Sequence, residues 1–145
     1  MKKLLILNLL VLLGLLVYST KSLAQNPVNW TEKQLEEPAA LAQAISSKSN
    51  VPVIINVGPD AIIPGSVNVG PVDNSKGLRK FRAELKSINK DEKIVIYCGC
   101  CPFEQCPNVR PAIAVLKEKG FRNYYLLNLP YNIRKDWIDK GYPVR

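Results

Sequence analysis

The stretch Lys93-Ile94-Val95-Ile96-Tyr97-Cys98-Gly99-Cys100-Cys101-Pro102-Phe103-Glu104-Gln105-Cys106-Pro107-Asn108-Val109-Arg110-Pro111-Ala112 decides how this chain is read. Its opening is β-branched and apolar, which predicts a strand covered on both faces, the habit of parallel sheets. Its end continues through Ile113-Ala114-Val115-Leu116-Lys117-Glu118-Lys119. That run predicts a helix from Pro111 with Gly120 in the C-cap position. Between strand and helix lies a loop that holds all four cysteines of the protein. In open parallel sheets, ligands bind beyond the carboxyl ends of strands, where loops lead into helices. Backbone N–H groups in such a loop, with the positive end of the helix, suit an anion such as a thiolate, persulfide or oxyanion. Cys98 stands first in the loop, so a lowered pKa and a nucleophilic role are expected of it.

The flanking sequence supports an α/β domain. Upstream, Val51-Pro52-Val53-Ile54-Ile55-Asn56-Val57 predicts a second buried strand, ended by Gly58-Pro59-Asp60. Ile63 to Pro71 reads as a turn followed by a short strand. Leu78, Phe81, Leu85 and Ile88 recur at helical spacing with charges between them, so residues 75–88 predict an amphipathic helix laid on the sheet. Thr31 and Gln34 have capping-box spacing, enough to start a turn, and the packed helix is expected from Pro38 to Ser47. Downstream, Asn123 to Leu129 predicts a third long strand, and Asn132 to Lys140 a short final helix with Ile133, Trp137 and Ile138 facing inward. Strands alternating with helices predict a parallel sheet. Tyr124, Tyr125, Trp137 and Tyr142 fall at core positions of this pattern rather than in a stacking site.

The amino terminus reads as an export signal: Met1-Lys2-Lys3, an apolar run from Leu4 to Tyr18, then Ser22-Leu23-Ala24. Cleavage is expected after Ala24. The apolar run is short of the roughly 20 residues of a bilayer-spanning helix, so no stable membrane insertion is expected after cleavage, and the mature protein is expected to be periplasmic or secreted. Residues 1–24 are then the signal, 25–30 a polar lead-in and 31–145 one domain. Removing 24 of the 145 residues leaves 121, and losing Lys2, Lys3 and Lys21 lowers the net charge from +8 to +5. The remaining Lys and Arg are interspersed with acids, as in Arg79-Lys80-Phe81-Arg82-Ala83-Glu84. No nucleic-acid partner is expected from such a distribution. The chain contains no histidine, which excludes Ser-His-Asp hydrolysis, Cys-His proteolysis and His-ligated metal sites.

Four segments, in order and spacing, resemble the rhodanese family of sulfurtransferases. They are Ile63-Pro64-Gly65-Ser66-Val67-Asn68-Val69, Ile94-Val95-Ile96-Tyr97-Cys98, Gly120-Phe121-Arg122-Asn123-Tyr124-Tyr125 and Trp137-Ile138-Asp139-Lys140-Gly141-Tyr142-Pro143-Val144. The resemblance implies a rhodanese-like three-layer α/β sandwich with a mainly parallel central sheet, over almost the whole mature chain. It implies a Cys98 that accepts sulfane sulfur as a persulfide from a small sulfur-containing substrate and passes it to a thiol acceptor, with no cofactor. The loop groups of Gly99, Cys100, Asn108 and Val109 would bind the substrate, and Arg110 would pair with a donor's sulfonate, unless Arg110 is a solvent-facing helix residue. The sequence also departs from the family. Asn56-Val57-Gly58 replaces the usual Asp-Val-Arg, and Ile62 stands where a histidine is usual. Counting back twelve residues from Gly120 puts Asn108, not an arginine, at the family's loop-arginine position. The loop is also about five residues longer than the common one.

Three thiols beside Cys98 remain to be read. Cys106 joined to Cys100 or Cys101 would brace the enlarged loop as a disulfide. Alternatively Cys101, in a C-x-x-C with Cys98, would act as a resolving thiol that displaces the persulfide and releases sulfide. A third reading is a soft-metal site of Cys98, Cys100, Cys101 and Cys106 for Cu(I) or Zn(II). Sulfur transfer through Cys98 is the leading function. The alternatives are a non-catalytic module that binds a metal or protein partner through this loop, and a thiol-disulfide redox protein. A thioredoxin-like reductase fits poorly, since only 15 residues follow Pro130.

Overall fold

The computed structural model describes residues 31–145. The export signal at 1–24 and the lead-in at 25–30 lie outside the described residues. Five strands form one sheet: β1 (Leu35–Glu36), β2 (Val53–Asn56), β3 (Val67–Asn68), β4 (Ile94–Tyr97) and β5 (Tyr124–Leu127), in the order β1-β5-β4-β2-β3. Every neighbouring pair is parallel, so the sheet is wholly rather than mainly parallel. The three long apolar runs supply the three central strands, and β4 sits in the middle.

Successive side chains of a strand face opposite sides, and here they feed two separate cores. Ile54, Val95, Tyr97 and Leu127 face the layer containing helix α1 (Pro38–Ser47) and Trp137. Ile55, Ile94, Ile96 and Leu126 face helices α2 (Ser75–Glu84) and α3 (Val109–Glu118). The result is three layers, helix–sheet–helix, as the alternation of elements predicts. Pro38 opens α1, where its missing N–H costs nothing. Asn74 caps α2 by accepting from the N–H groups of Lys76 and Gly77. Gly120, at φ +77°, ends α3 in a left-handed conformation that a side chain would disfavour.

Four details differ from the sequence expectations. Edge strand β1 follows a single 3₁₀ turn (Glu32–Gln34) and has no pattern of its own; its pairing with Leu126 and Leu127 makes it a strand. Helix α2 stops at Glu84, although Leu85 and Ile88 still pack on the core. Helix α3 begins two residues early, at Val109, with Pro111 inside its first turn. The final helix is one π-helical turn, Arg134–Ile138. Trp137 is wholly buried there, its indole N–H donating to the Pro143 carbonyl at 2.7 Å. Adjacent helical residues point roughly 100° apart, so Ile138 turns outward and is exposed instead of facing the core.

Candidate functional site

The site begins with two neighbours that face opposite ways. Tyr97, wholly buried in the α1 layer, accepts the Ile63 N–H at 3.2 Å and lies 3.1 Å from the Ser66 hydroxyl, so it pins the Ile63-Pro64-Gly65-Ser66 turn. Cys98 follows on the other face, in the core shared with α2 and α3, and is 5 % exposed. The turn after β2 closes against it. Asn56 is fully buried; its amide donates to Gly58 O at 2.8 Å and Asn68 Oδ1 at 3.0 Å, and its oxygen accepts from Gly58 N at 3.2 Å. A Cβ at Gly58 would lie 2.3 Å from the Cys98 carbonyl oxygen and 2.7 Å from its sulfur. Glycine is therefore required where the resemblance leads one to look for arginine.

The loop is ordered by contacts along its length. Gly99 adopts φ +80°, and its carbonyl accepts the Ile133 N–H at 2.9 Å; a Cβ there would meet the Ile133 Cβ at 2.9 Å. A 3₁₀ turn, Phe103–Gln105, rests its aromatic ring on the core. Arg110, exposed, donates from Nη2 to Glu104 O at 2.8 Å and so ties the first turn of α3 back to this turn. Asn108 is almost buried and bridges two regions: its amide nitrogen donates to Cys98 Sγ at 3.4 Å, and its oxygen accepts from Asp73 N at 3.0 Å.

The sulfurs form a connected group. Cys98 Sγ lies 3.2 Å from Cys100 Sγ, which lies 3.3 Å from Cys101 Sγ. The sulfurs of Cys98, Cys100 and Cys106 all fall within 4.8 Å of one another. Cys98 and Cys106 are buried, Cys101 half-buried and Cys100 exposed. The lowered thiol of this group is Cys106, not Cys98 as expected. Cys106 falls to about 6 because the Cys98 thiol donates to it and the backbone N–H groups of Asn108 and Val109, at the start of α3, point at it, against the effect of burial. Cys98 is raised by that same pairing with Cys106 and then by burial, with the Cys100 backbone N–H acting the other way. Cys101 is pushed up to about 12, by burial first and by Cys100 second. The backbone N–H groups at the helix start face the Cys106 sulfur and favour its charged form. Cys106 is thus placed to accept a proton from the Cys98 thiol.

All four cysteines are free thiols, so the expected disulfide from Cys106 to Cys100 or Cys101 is not formed. Cys106 is turned inward to Cys98 and the helix amides, and Cys101 has its vicinal neighbour Cys100 as its closest sulfur contact. The structure brings Cys98, Cys100, Cys106 and Asn108 together, with Gly99 and Val109 supplying backbone. The place beside Cys98 that C-x-x-C spacing gave to Cys101 is held by Cys100. Arg110 is engaged with the loop's own backbone. The sequence marks Asn56 and Gly58 only as departures from the family pattern and Ile133 only as inward-facing, and it assigns none of them a role at the site.

Solved structures with a similar fold exist. A rhodanese-like domain from an Anabaena protein, solved in solution by NMR, superposes with a TM-score of 0.55 at 14 % identity, covering 77 % of this chain and 78 % of that one. A crystal structure of the Anabaena protein gives 0.54 at 17 % identity, covering 76 % and 90 %. The fold is that of the rhodanese-like domains. A single-domain sulfurtransferase of Saccharomyces cerevisiae shares this rhodanese-like fold at a TM-score of 0.53 and 16 % identity, over 77 % of this chain and 95 % of that one. No family model and no curated protein matches the sequence. In this rhodanese-like frame, Cys98 stands at the carboxyl end of the central strand, and the other three thiols lie in the loop beyond it.

Proposed function

We propose that the protein is a sulfurtransferase that carries sulfane sulfur as a persulfide on Cys98. The observation that carries this reading is the placement of Cys98 at the end of β4 in a rhodanese-like fold, with the Asn108 amide on its sulfur. In the loading step, the Cys98 sulfur attacks the outer sulfur of a donor such as thiosulfate. A Cys98 S–S bond forms, the donor's S–S bond breaks and sulfite leaves with the electron pair. The Cys98 proton passes to a neighbouring thiolate or to water. N–H groups of the loop and of Asn108 stabilise the persulfide anion. An acceptor thiolate then takes the outer sulfur and returns Cys98 as thiolate. The signal-like residues 1–24 support export, which would place this chemistry outside the cytoplasm. The test is to treat reduced protein with thiosulfate and measure intact mass. One added sulfur atom is expected, absent in Cys98→Ser; unmodified protein, or equal uptake by Cys98→Ser, refutes the reading.

The 3.2 Å separation of the Cys98 and Cys100 sulfurs supports a second outcome for the loaded sulfur. Attack by the Cys100 thiolate on the inner sulfur of the persulfide would leave a Cys98–Cys100 disulfide and expel hydrosulfide, two thiols being oxidised as one sulfane sulfur is reduced. An external dithiol would then restore the pair. Loaded protein would release one hydrosulfide per chain without added thiol, and Cys100→Ser would hold its persulfide. Hydrosulfide release that is unchanged in Cys100→Ser refutes this second outcome.

A further inference from the structure

We infer that Cys98, Cys100 and Cys106 form a three-thiolate site for one Cu(I) ion. The inference does not rest on the sulfur-transfer reading. Its basis is that these three sulfurs, two of them buried, already lie within 4.8 Å of one another, drawn from both ends of the loop. An ion about 2.3 Å from each of three coplanar sulfurs sets them about 4 Å apart. The Cys98–Cys100 pair at 3.2 Å therefore needs to open by less than about 1 Å.

The surroundings favour a soft monovalent cation over a hard or four-coordinate one. Thiolates select Cu(I), and the chain has no imidazole to offer. Zinc in a closed site takes four ligands. The fourth thiol, Cys101, neighbours Cys100 and Cys106 but stands outside the group whose sulfurs all lie within 4.8 Å of one another, and as the vicinal neighbour of Cys100 it is poorly placed to share the same ion. The loop holds the three positions in place without the ion. The Gly99 carbonyl bond to Ile133 fixes the turn between Cys98 and Cys100, and the Arg110 bond to Glu104 ties the turn before Cys106 to α3. On the inner side, Val57, Val109 and Phe103 pack in the same core as Cys98 and Cys106, and they keep water from that side of the sulfurs. The Asn108 amide on Cys98 Sγ would orient a ligand sulfur and offset its charge.

The test is an anaerobic titration of reduced protein with Cu(I) against a chromophoric Cu(I) chelator, with sulfur-edge and copper-edge X-ray absorption on the product. The expected result is one ion per chain, surrounded by three sulfurs. Cys98→Ser, Cys100→Ser and Cys106→Ser should each weaken binding by more than about tenfold, while Cys101→Ser stays within about threefold of the parent. Circular dichroism of each variant separates loss of a ligand from loss of fold. The inference is overturned by failure to compete with the chelator, by a fourth sulfur around the copper, by an equal loss in Cys101→Ser, or by tighter one-to-one binding of Zn(II). Sulfur loading of metal-free protein is read separately by mass, so either result stands without the other.

Discussion

Two turns leave the carboxyl ends of neighbouring strands, and they differ in almost every respect. The turn after β2 spends one buried side chain, Asn56, on closing itself through two backbone contacts at Gly58, and it presents no reactive group. The turn after β4 runs from Cys98 to Asn108, carries every sulfur nucleophile of the chain, and is held by contacts from other segments: Ile133, Leu129 and Asp73. The first is closed chiefly by its own residues, with Asn68 as a further partner, and sets the space; the second depends on its neighbours and fills that space with thiols. Gly58 is where they meet, since its missing side chain lets the Cys98 carbonyl and sulfur approach.

The comparison can be broken most severely at that meeting point. Gly58→Ala puts a methyl group 2.3 Å from the Cys98 carbonyl oxygen. A backbone atom cannot yield cheaply, so a loss of about 3 kcal/mol is expected in denaturant unfolding, together with faster alkylation of Cys98. Next in size is Asn56→Asp, which replaces a donor to Gly58 O and Asn68 Oδ1 with a second acceptor in a fully buried place. About 2 kcal/mol should be lost, and Asn56→Ala should cost no more, because it removes the repulsion along with the bonds.

Smaller effects sharpen the role of the second turn. Asn108→Ala leaves the Asp73 N–H without its partner and removes the donor to Cys98 Sγ. It should cost about 1 kcal/mol in stability and slow persulfide formation from thiosulfate by roughly tenfold in stopped mass-spectrometric assays. Arg110→Ala removes one exposed bond to Glu104 O. Loss of less than about 1 kcal/mol and a change in loading rate below about threefold are expected. A large loss of loading with intact stability would show instead that Arg110 leaves Glu104 to meet the donor's sulfonate.

The parts of this molecule that could be read from sequence are those in which a pattern repeats within one segment. The β-branched runs around Ile54 and Val95 define β2 and β4, and Leu78 with Phe81 marks α2, because burial on a sheet imposes its own periodicity. The position of Cys98 at a strand end follows from the same reasoning. Features that arise between segments were not legible. The strand character of Leu35–Glu36 comes from β5, and the lowering of the Cys106 thiol comes from facing Cys98 while the first N–H groups of α3 point at its sulfur. Spacing assigned Cys101 to Cys98 because C-x-x-C is a familiar interval. The left-handed Gly99 redirects the chain so that Cys100 arrives there first.

The central claim is that sulfur is carried on Cys98, and locating the sulfur within the loop tests it most directly. Reduced protein is exposed to thiosulfate, trapped by alkylation and digested, and the peptide spanning the four cysteines is sequenced by mass spectrometry. The account predicts an alkylated persulfide on Cys98, with Cys100, Cys101 and Cys106 carrying single sulfurs. An extra sulfur confined to Cys100, Cys101 or Cys106, or none on the peptide, would contradict it.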